Sequence, residues 1–361
     1  MNMTVCFFGS YNRDYPRNQI LLNGLKKNGV VVFDCHSTKG FFLQRYTQLT
    51  QKFLPLRKKV DVIFVAFPGH LDMPLAWLLG KLTGTKVVFD VFYSLYDTYV
   101  NDRQSTKPRS AHAILYLLID KLSMRLADLI ISDTWSHAKY LSETFGIPAS
   151  KFKRVFLGAD DRIFKKTAGK NGQNENVVVE FHGMFARLQG VEYFIEAAKK
   201  LENNVGIKFI LIGGENNYSY PLELMKRLKP KNLDYLGRLS PKQLNTQLQL
   251  ADISIGGHLG MTNKASNVIA NKTFESLAMG KALIVGDTVA NRELLEDKKN
   301  AIFVKPGSAD DLKKKILYLS REKKLRQKIA LSGNTLFKNQ LTNYHVAKTL
   351  LSLFTHLLNE S

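Results

Sequence analysis

Cysteine is nearly absent from this chain of 361 residues: only Cys6 and Cys35 occur, each inside an apolar run (TVCFF and VVFDC). A disulfide framework is therefore excluded. No Cys/His cluster has metal-ligand spacing either, so the expectation is a reducing cytoplasm and no bound metal. Acidic residues are scarce, 31 Asp plus Glu against 52 Lys plus Arg, and the net charge is +21. Such a field favours polyanionic partners: nucleic acid, an anionic membrane surface or phosphorylated small molecules. No uncharged apolar run approaches the roughly 18–20 residues that a membrane span needs, so any membrane contact is expected to be peripheral. The opening MNMTVCFFGS lacks a basic leader and reads as a strand followed by Gly rather than as a secretory signal. Gly-x-Gly-x-x-Gly, Gly-x-x-x-x-Gly-Lys-Ser/Thr and Asp-x-Asp are all missing.

What the chain does have is alternation. Short β-branched runs recur between amphipathic segments in two series. The first runs through TVCFFG, GVVVFDC, VDVIFVAF, KVVFDVF, DLIIS and KRVFLG, the second through NVVVEFHG, IKFILIGG, NLDYLG, ADISIGG, ALIVGD and AIFVK. Strands alternating with helices predict parallel sheets covered on both faces, here an α/β protein of two doubly wound, Rossmann-like domains. The length suits two cores. Polar KKTAGKNGQNEN (165–176) reads as the linker, which sets the domains at 1–168 and 177–335. The last stretch, 336–361, is helical in pattern, and its apolar side needs a surface, for which the N-terminal domain is the candidate. Open α/β sheets bind ligands at the C-terminal ends of their strands, so two such domains facing a cleft suit a ligand with two chemically distinct halves.

Glycines mark those strand ends. Gly9 precedes SYNRDYPRNQ, Gly183 ends VVVEFHG, and Gly213 and Gly237 follow two later strands. Glycine lets backbone approach a ligand, and the helix N-terminus that follows favours an anion. Arg187, in FHGMFARLQG, offers a fork of donors for a diphosphate. His182 in the same stretch reads as a packed strand residue. Farther on, ANKTFESLAMGKALIVGD (270–287) puts Lys272 and Glu275 at i, i+3 on the first turn of a helix that ends at Gly280. With Lys264 upstream, this arrangement suits phosphate neutralised by lysines, and ribose hydroxyls donating to Glu275. The alternative reading of the pair is a surface ion pair.

NKTFESLAMGKALIVGD, with RELL at 292–295 and AIFVKPGSADDL at 301–312, resembles the donor-binding half of retaining glycosyltransferases of family 4, in the bacterial branch with Asn/Ser-Lys-x-x-Glu. FGSYNRDYPRNQILLNGLKKNGV and SLYDTYVNDR with DKLSMRLADLIISDT resemble the acceptor half. The resemblance covers nearly the whole chain and implies the two-Rossmann glycosyltransferase-B fold. It also implies a nucleoside diphosphate sugar as co-substrate, no cofactor and no metal requirement. Glu275 then corresponds to the second, ribose-binding carboxylate of the family's Glu-x7-Glu pair, and Asn267 stands where the first would be. The family's two phosphate-binding cations fall on Met184 and Gln189, so Arg187, Lys264 and Lys272 are the substitutes, with Asn271 beside them at the helix start.

The reading that results is a cytoplasmic glycosyltransferase, with the inner face of the cell membrane as a peripheral location. It passes a sugar from a nucleoside diphosphate sugar to a glycan or lipid-linked acceptor, with retention, in cell-surface polysaccharide or glycolipid synthesis. Arg187 and Lys272 would stabilise the leaving group, and Asp90 and Asp97, in FDVFYSLYD, are the carboxylates placed to assist the acceptor. Three alternatives stay open: a non-catalytic nucleotide-sugar-binding protein, a nucleotide-sugar epimerase, and a basic nucleic-acid-binding protein. Against the last, no nucleic-acid module is recognisable and the basic charge is spread through both halves, so nucleic acid is not the expected partner. An anionic membrane surface is, through TKGFFLQRYTQLTQKFLPLRKK (38–59), where Phe41, Phe42, Tyr46, Phe53 and Leu54 accompany Lys39, Arg45, Lys52, Arg57, Lys58 and Lys59.

Overall fold

The computed structural model describes residues 3–166, 176–215 and 218–360, so most of the expected linker lies outside the described residues. The chain divides into two compact units. One runs to Leu157 and resumes at Thr342, and the other is Gly158–Leu341. The expected boundaries were 168 and 335, and the second of these falls inside an unbroken helix, Lys323–Gln340.

In the first unit the strands are β1 (Thr4–Gly9), β2 (Val31–His36), β3 (Val62–Val65), β4 (Lys86–Asp90), β5 (Leu129–Ser132) and β6 (Phe152–Arg154). They alternate with helices α1 (Pro16–Lys27), α2 (Phe42–Phe53), α3 (Met73–Thr83), α4 (Ala111–Leu126) and α5 (Trp135–Phe145). All pair in parallel in the order β2-β1-β3-β4-β5-β6. Val5, Cys6, Phe7 and Phe8 are all buried, because a parallel sheet with helices on both faces offers no wet side. The sequence reading carried the sixth strand on through KRVFLG. It stops at Arg154 instead, since the carbonyls of Val155 and Phe156 accept from the Arg17 guanidinium.

The second unit holds β7 (Val177–Phe185), β8 (Ile207–Glu215), β9 (Leu233–Tyr235), β10 (Ile253–Ile255), β11 (Ala282–Gly286) and β12 (Ile302–Val304). Its helices are α6 (Val191–Lys200), α7 (Tyr220–Leu228), α8 (Pro241–Leu250), α9 (Asn263–Asn267), α10 (Asn271–Ala278), α11 (Val289–Arg292), α12 (Ala309–Arg321) and α13 (Lys323–Gln340). The parallel order is β12-β11-β10-β7-β8-β9, which in strands of this unit is 6-5-4-1-2-3, the Rossmann order. The core closes around Phe181, Phe194 and Phe209, whose rings lie 5.4 Å apart in successive pairs. The capping box of Ser240 and Gln243 starts α8.

The last helix, α14 (Asn343–Asn359), belongs to the first unit and packs on α1. The contact is close: a Cβ on Gly24 would meet the Asn343 carbonyl oxygen at 2.0 Å. Phe354 reaches the sheet, its ring 5.9 Å from that of Phe64. No helix among the described residues is long and apolar enough to cross a membrane.

Candidate functional site

Strand order decides where a ligand can enter the second unit. From β7 the chain crosses to β8 on one side, while β10 returns on the other, so the crest between β7 and β10 is a topological switch point. Gly183 lies near the end of β7 there, and Gly256-Gly257 follows β10. Gly183 and Gly257 both have positive φ, +138° and +77°. A Cβ on Gly183 would press on the Lys272 Nζ at 3.3 Å, and one on Gly257 would lie in ordinary contact with the same side chain, 3.5 Å from its Cε. Both glycines thus border one ammonium.

That ammonium is unusual. Lys272, on the first turn of α10, is 3% exposed, and its Nζ lies 3.5 Å from the Phe181 ring centroid with no hydrogen-bond acceptor. Burial brings its pKa down to about 7, against the pull of Glu180 and Glu275. Thr273 ties α10 in place by donating its hydroxyl to the Gly256 carbonyl at 3.1 Å.

Glu275, one turn on, does not pair with Lys272 in the manner of a surface ion pair. Its Oε2 accepts from His182 Nε2 at 2.7 Å, and the other ring nitrogen meets Glu180 Oε2 at 3.0 Å. Burial disfavours the imidazolium, but the two carboxylates outweigh it and carry the His182 pKa up to about 9. Glu180 is fully enclosed on β7, whereas the Glu275 side chain is 16% exposed. His258, past Gly257, is buried, and burial together with Lys272 and Lys264 brings its pKa down to about 3, so it is neutral.

The turn Arg187–Gln189 closes one side. Leu259 N donates to the Gln189 carbonyl and Gly260 N to that of Leu188, which holds the segment after β10 against it. Gln189 Oε1 is buried without a donor and would lie 3.5 Å from a Cβ on Gly257. Arg187 itself is exposed and lies over the Tyr218 ring, 5.9 Å from its centroid. Lys264 and Asn267 are on α9, the Asn267 amide donating to Asn263 Oδ1 at 3.1 Å, and Asn271 opens α10. Gly213 serves strand packing, since a Cβ there would sit 1.8 Å from the Gly183 carbonyl oxygen. Gly237 has open space about it, and its carbonyl accepts from Gly213 N at 2.7 Å.

In the first unit three expectations need correction. Asp90 is fully buried, with both carboxylate oxygens bound to Arg17 at 2.9 and 3.0 Å, so it has no oxygen for an acceptor. Asp97 is buried as well, and its Oδ1 accepts from the Tyr140 hydroxyl at 3.1 Å and the Asn101 amide at 3.2 Å. The space beside Gly9 is occupied by the Asp72 carboxylate, 3.0 Å from where a Cβ would be, which accepts from Ser10 N and Oγ and pairs with Arg45. Glycine there admits a side chain of the same unit.

Sequence reasoning missed Glu180, the bridging role of His182, and His258. The available signal was Glu180 itself, a carboxylate in an otherwise apolar strand, which burial obliges to find a partner.

Residues 161–334 match the family model described as glycosyl transferases group 1. Over 256 residues the chain is 22% identical to an uncharacterized glycosyltransferase of Methanocaldococcus jannaschii, spanning 67% of this chain and 62% of that protein. Over 291 residues it is 25% identical to the N,N'-diacetylbacillosaminyl-diphospho-undecaprenol alpha-1,3-N-acetylgalactosaminyltransferase of Campylobacter jejuni, spanning 76% of this chain and 72% of that one. Among solved structures, HepE of Anabaena in complex with UDP superposes with a TM-score of 0.72 at 14% identity, covering 99% of this chain and 100% of that one. Sucrose-phosphate synthase of Thermosynechococcus elongatus does so with 0.72 at 12% identity, with the same coverage. These likenesses establish the fold, two α/β domains of the glycosyltransferase-B type.

Proposed function

We propose that the chain is a retaining glycosyltransferase that moves a sugar from a nucleoside diphosphate sugar to a glycan or lipid-linked acceptor, at the cytoplasmic face of a membrane. The observation that carries this reading is the buried Lys272 ammonium, without an acceptor, at the switch point between Gly183 and Gly257. An unpaired buried cation calls for an anion, and a diphosphate meets it where backbone is kept clear. Glu275 lies on the same helix face, three residues away, where ribose hydroxyls would donate to it. The group 1 match over 161–334, the UDP bound to HepE and the undecaprenol-linked acceptor in the name of the Campylobacter relative support the same reading.

In the reaction the bond between the anomeric carbon and the diphosphate oxygen breaks, and its electron pair leaves with the diphosphate. The acceptor hydroxyl bonds the anomeric carbon and passes its proton to the departing diphosphate. Lys272 acts on the charge that grows on the leaving oxygen, with Arg187 and Lys264 as further cations at the rim, so the protein's own cations do the work that a metal would do. Turnover is accordingly expected to survive EDTA unchanged, and a loss restored by a divalent ion would show a metal-dependent site.

The deciding experiment screens UDP-, GDP-, ADP- and dTDP-sugars by saturation-transfer NMR and follows the product of the donor that binds. The expected product keeps the donor's anomeric configuration. Inversion would refute retention, binding without transfer to glycan or lipid-linked acceptors would mark a non-catalytic protein, and release of an epimerised nucleotide sugar would mark an epimerase.

A further inference from the structure

The donor reading uses Lys272 and Glu275 and leaves the imidazole behind them unexplained. Glu180 and His182 are two apart on β7, and therefore on one face of a strand whose surroundings are apolar. The ring joins carboxylates from two elements, Glu180 on β7 and Glu275 on α10, with contacts of 3.0 and 2.7 Å. One oxygen of Glu275 is committed to the ring, which leaves Oε1 of the same carboxylate to a ligand.

We propose that His182, held between Glu180 and Glu275, is a positioning residue for the nucleotide-sugar donor: it fixes the Glu275 carboxylate and cancels one of two negative charges beside Lys272. The proposal rests on the donor reading above.

Charge arithmetic gives the reason. The groups that act on this ring and the neighbouring ammonium are Glu180 from β7 and Glu275 from α10, and Lys272 in turn acts on His258 after β10, together with Lys264 from α9. His258 is neutral, and Lys281, buried and within the field of Glu180, has its ammonium committed to the Gln249 carbonyl at 2.9 Å. The imidazolium sets one positive charge against the two carboxylates, in addition to that of Lys272. Without it the strand end is more negative by one charge, which opposes an arriving diphosphate. Lys272 would also be held more tightly in its charged form by carboxylates, and less by the ligand.

The test uses the full chain and two readouts. The first needs no donor: 15N NMR of the imidazole is expected to show both ring nitrogens of His182 protonated at pH 7.5. The second titrates UDP, GDP, ADP and dTDP calorimetrically into wild type, His182→Gln and the double variant Glu180→Gln/His182→Gln. The glutamine keeps a donor toward Glu275 but carries no charge. His182→Gln is expected to lose about tenfold or more in affinity for the nucleotide that binds, the scale of a hydrogen bond to a charged group. Its affinity should also begin to fall at a higher pH than in wild type, because Lys272 then faces two uncompensated carboxylates. The double variant restores the balance and should recover affinity over His182→Gln, an outcome that a purely structural imidazole would not produce. Losses that add in the double variant, or His182→Gln binding like wild type, would overturn the proposal. So would a neutral imidazole in a protein that binds UDP, and this leaves the donor reading standing. A wild type with a protonated imidazole that binds none of the four nucleotides overturns the donor reading itself, and the role of His182 falls with it.

Discussion

Folding takes the Lys272 ammonium out of water without giving it an acceptor, which opposes folding and favours an anion. Its ordinary pKa of 10.5 falls to about 7, so between those values the unfolded chain binds the extra proton. Stability from this residue therefore rises as pH goes from about 7 toward 10.5, and is least favourable below 7. Lys272→Met is expected to raise stability at pH 7 by about 1–4 kcal/mol, as apolar replacements of buried ionic groups do. The gap from wild type should narrow toward pH 10 in thermal melts, and a gap that widens would contradict the burial. The same variant should lose turnover by about a hundredfold or more, the scale of removing one charge-stabilising donor. Glu275→Gln should instead weaken donor binding by about 1.5–3 kcal/mol in a folded protein. Unchanged affinity by calorimetry would remove Glu275 from the site. The i, i+3 pair was legible in NKTFES, but its partners were not: Glu275 finds His182 across 93 residues, and no local pattern encodes that contact.

At the scale of elements, the crest of β7, β8 and β10 depends on glycines that do different work. A Cβ on Gly213 would lie 1.8 Å from the Gly183 carbonyl oxygen, inside a paired strand that cannot yield. Gly213→Ala is therefore expected to lose about 3 kcal/mol or more, seen as a large fall in melting temperature. Gly183→Ala meets only the end of the Lys272 side chain, at 3.3 Å, but at a φ of +138°. It should cost about 1–3 kcal/mol in backbone strain and lower donor affinity as the ammonium shifts. If both variants melt alike, the distinction between packing glycine and site glycine fails. Sequence alone marked all of these as strand-end glycines and could not separate them, because the difference lies in what each Cβ would meet.

For the whole molecule the charge of +21 remains the largest single clue to a partner. Phe41, Phe42, Leu43 and Leu54 around α2 are exposed, whereas Phe53, expected on the same surface, is fully buried in the core; Ile114, Leu115, Leu118 and Leu122 on α4 are exposed too. The only acidic residue of α4, Asp120, is buried, where Ser94 and the amides of Leu95 and Tyr96 donate to it. Arg45 is withdrawn from the expected basic patch by its ion pair with Asp72, at 3.1 Å. Arg57, Lys58 and Lys59 follow α2. Each cation near an anionic surface contributes about 1 kcal/mol, so replacing these three with Ser should weaken vesicle binding by about 3 kcal/mol. Co-sedimentation should need anionic lipid and weaken as salt rises, and a wild type that ignores anionic vesicles at low salt would point to a soluble or small glycan acceptor.

The sequence by itself determined the elements: twelve apolar runs became twelve strands among the described residues, because β-branched runs bounded by glycine and polar turns carry their own local preference. It also placed Lys272 and Glu275 on one helical turn. Strand order, and with it the site, came only from tertiary structure, since bringing β10 beside β7 is a choice among pairings with similar local energies. The same holds for the buried charges. Asp90 was drawn away from chemistry by Arg17, 73 positions earlier, and His182 was turned from core packing into a bridge, because a charge enclosed by a fold must find its partner wherever the fold supplies one.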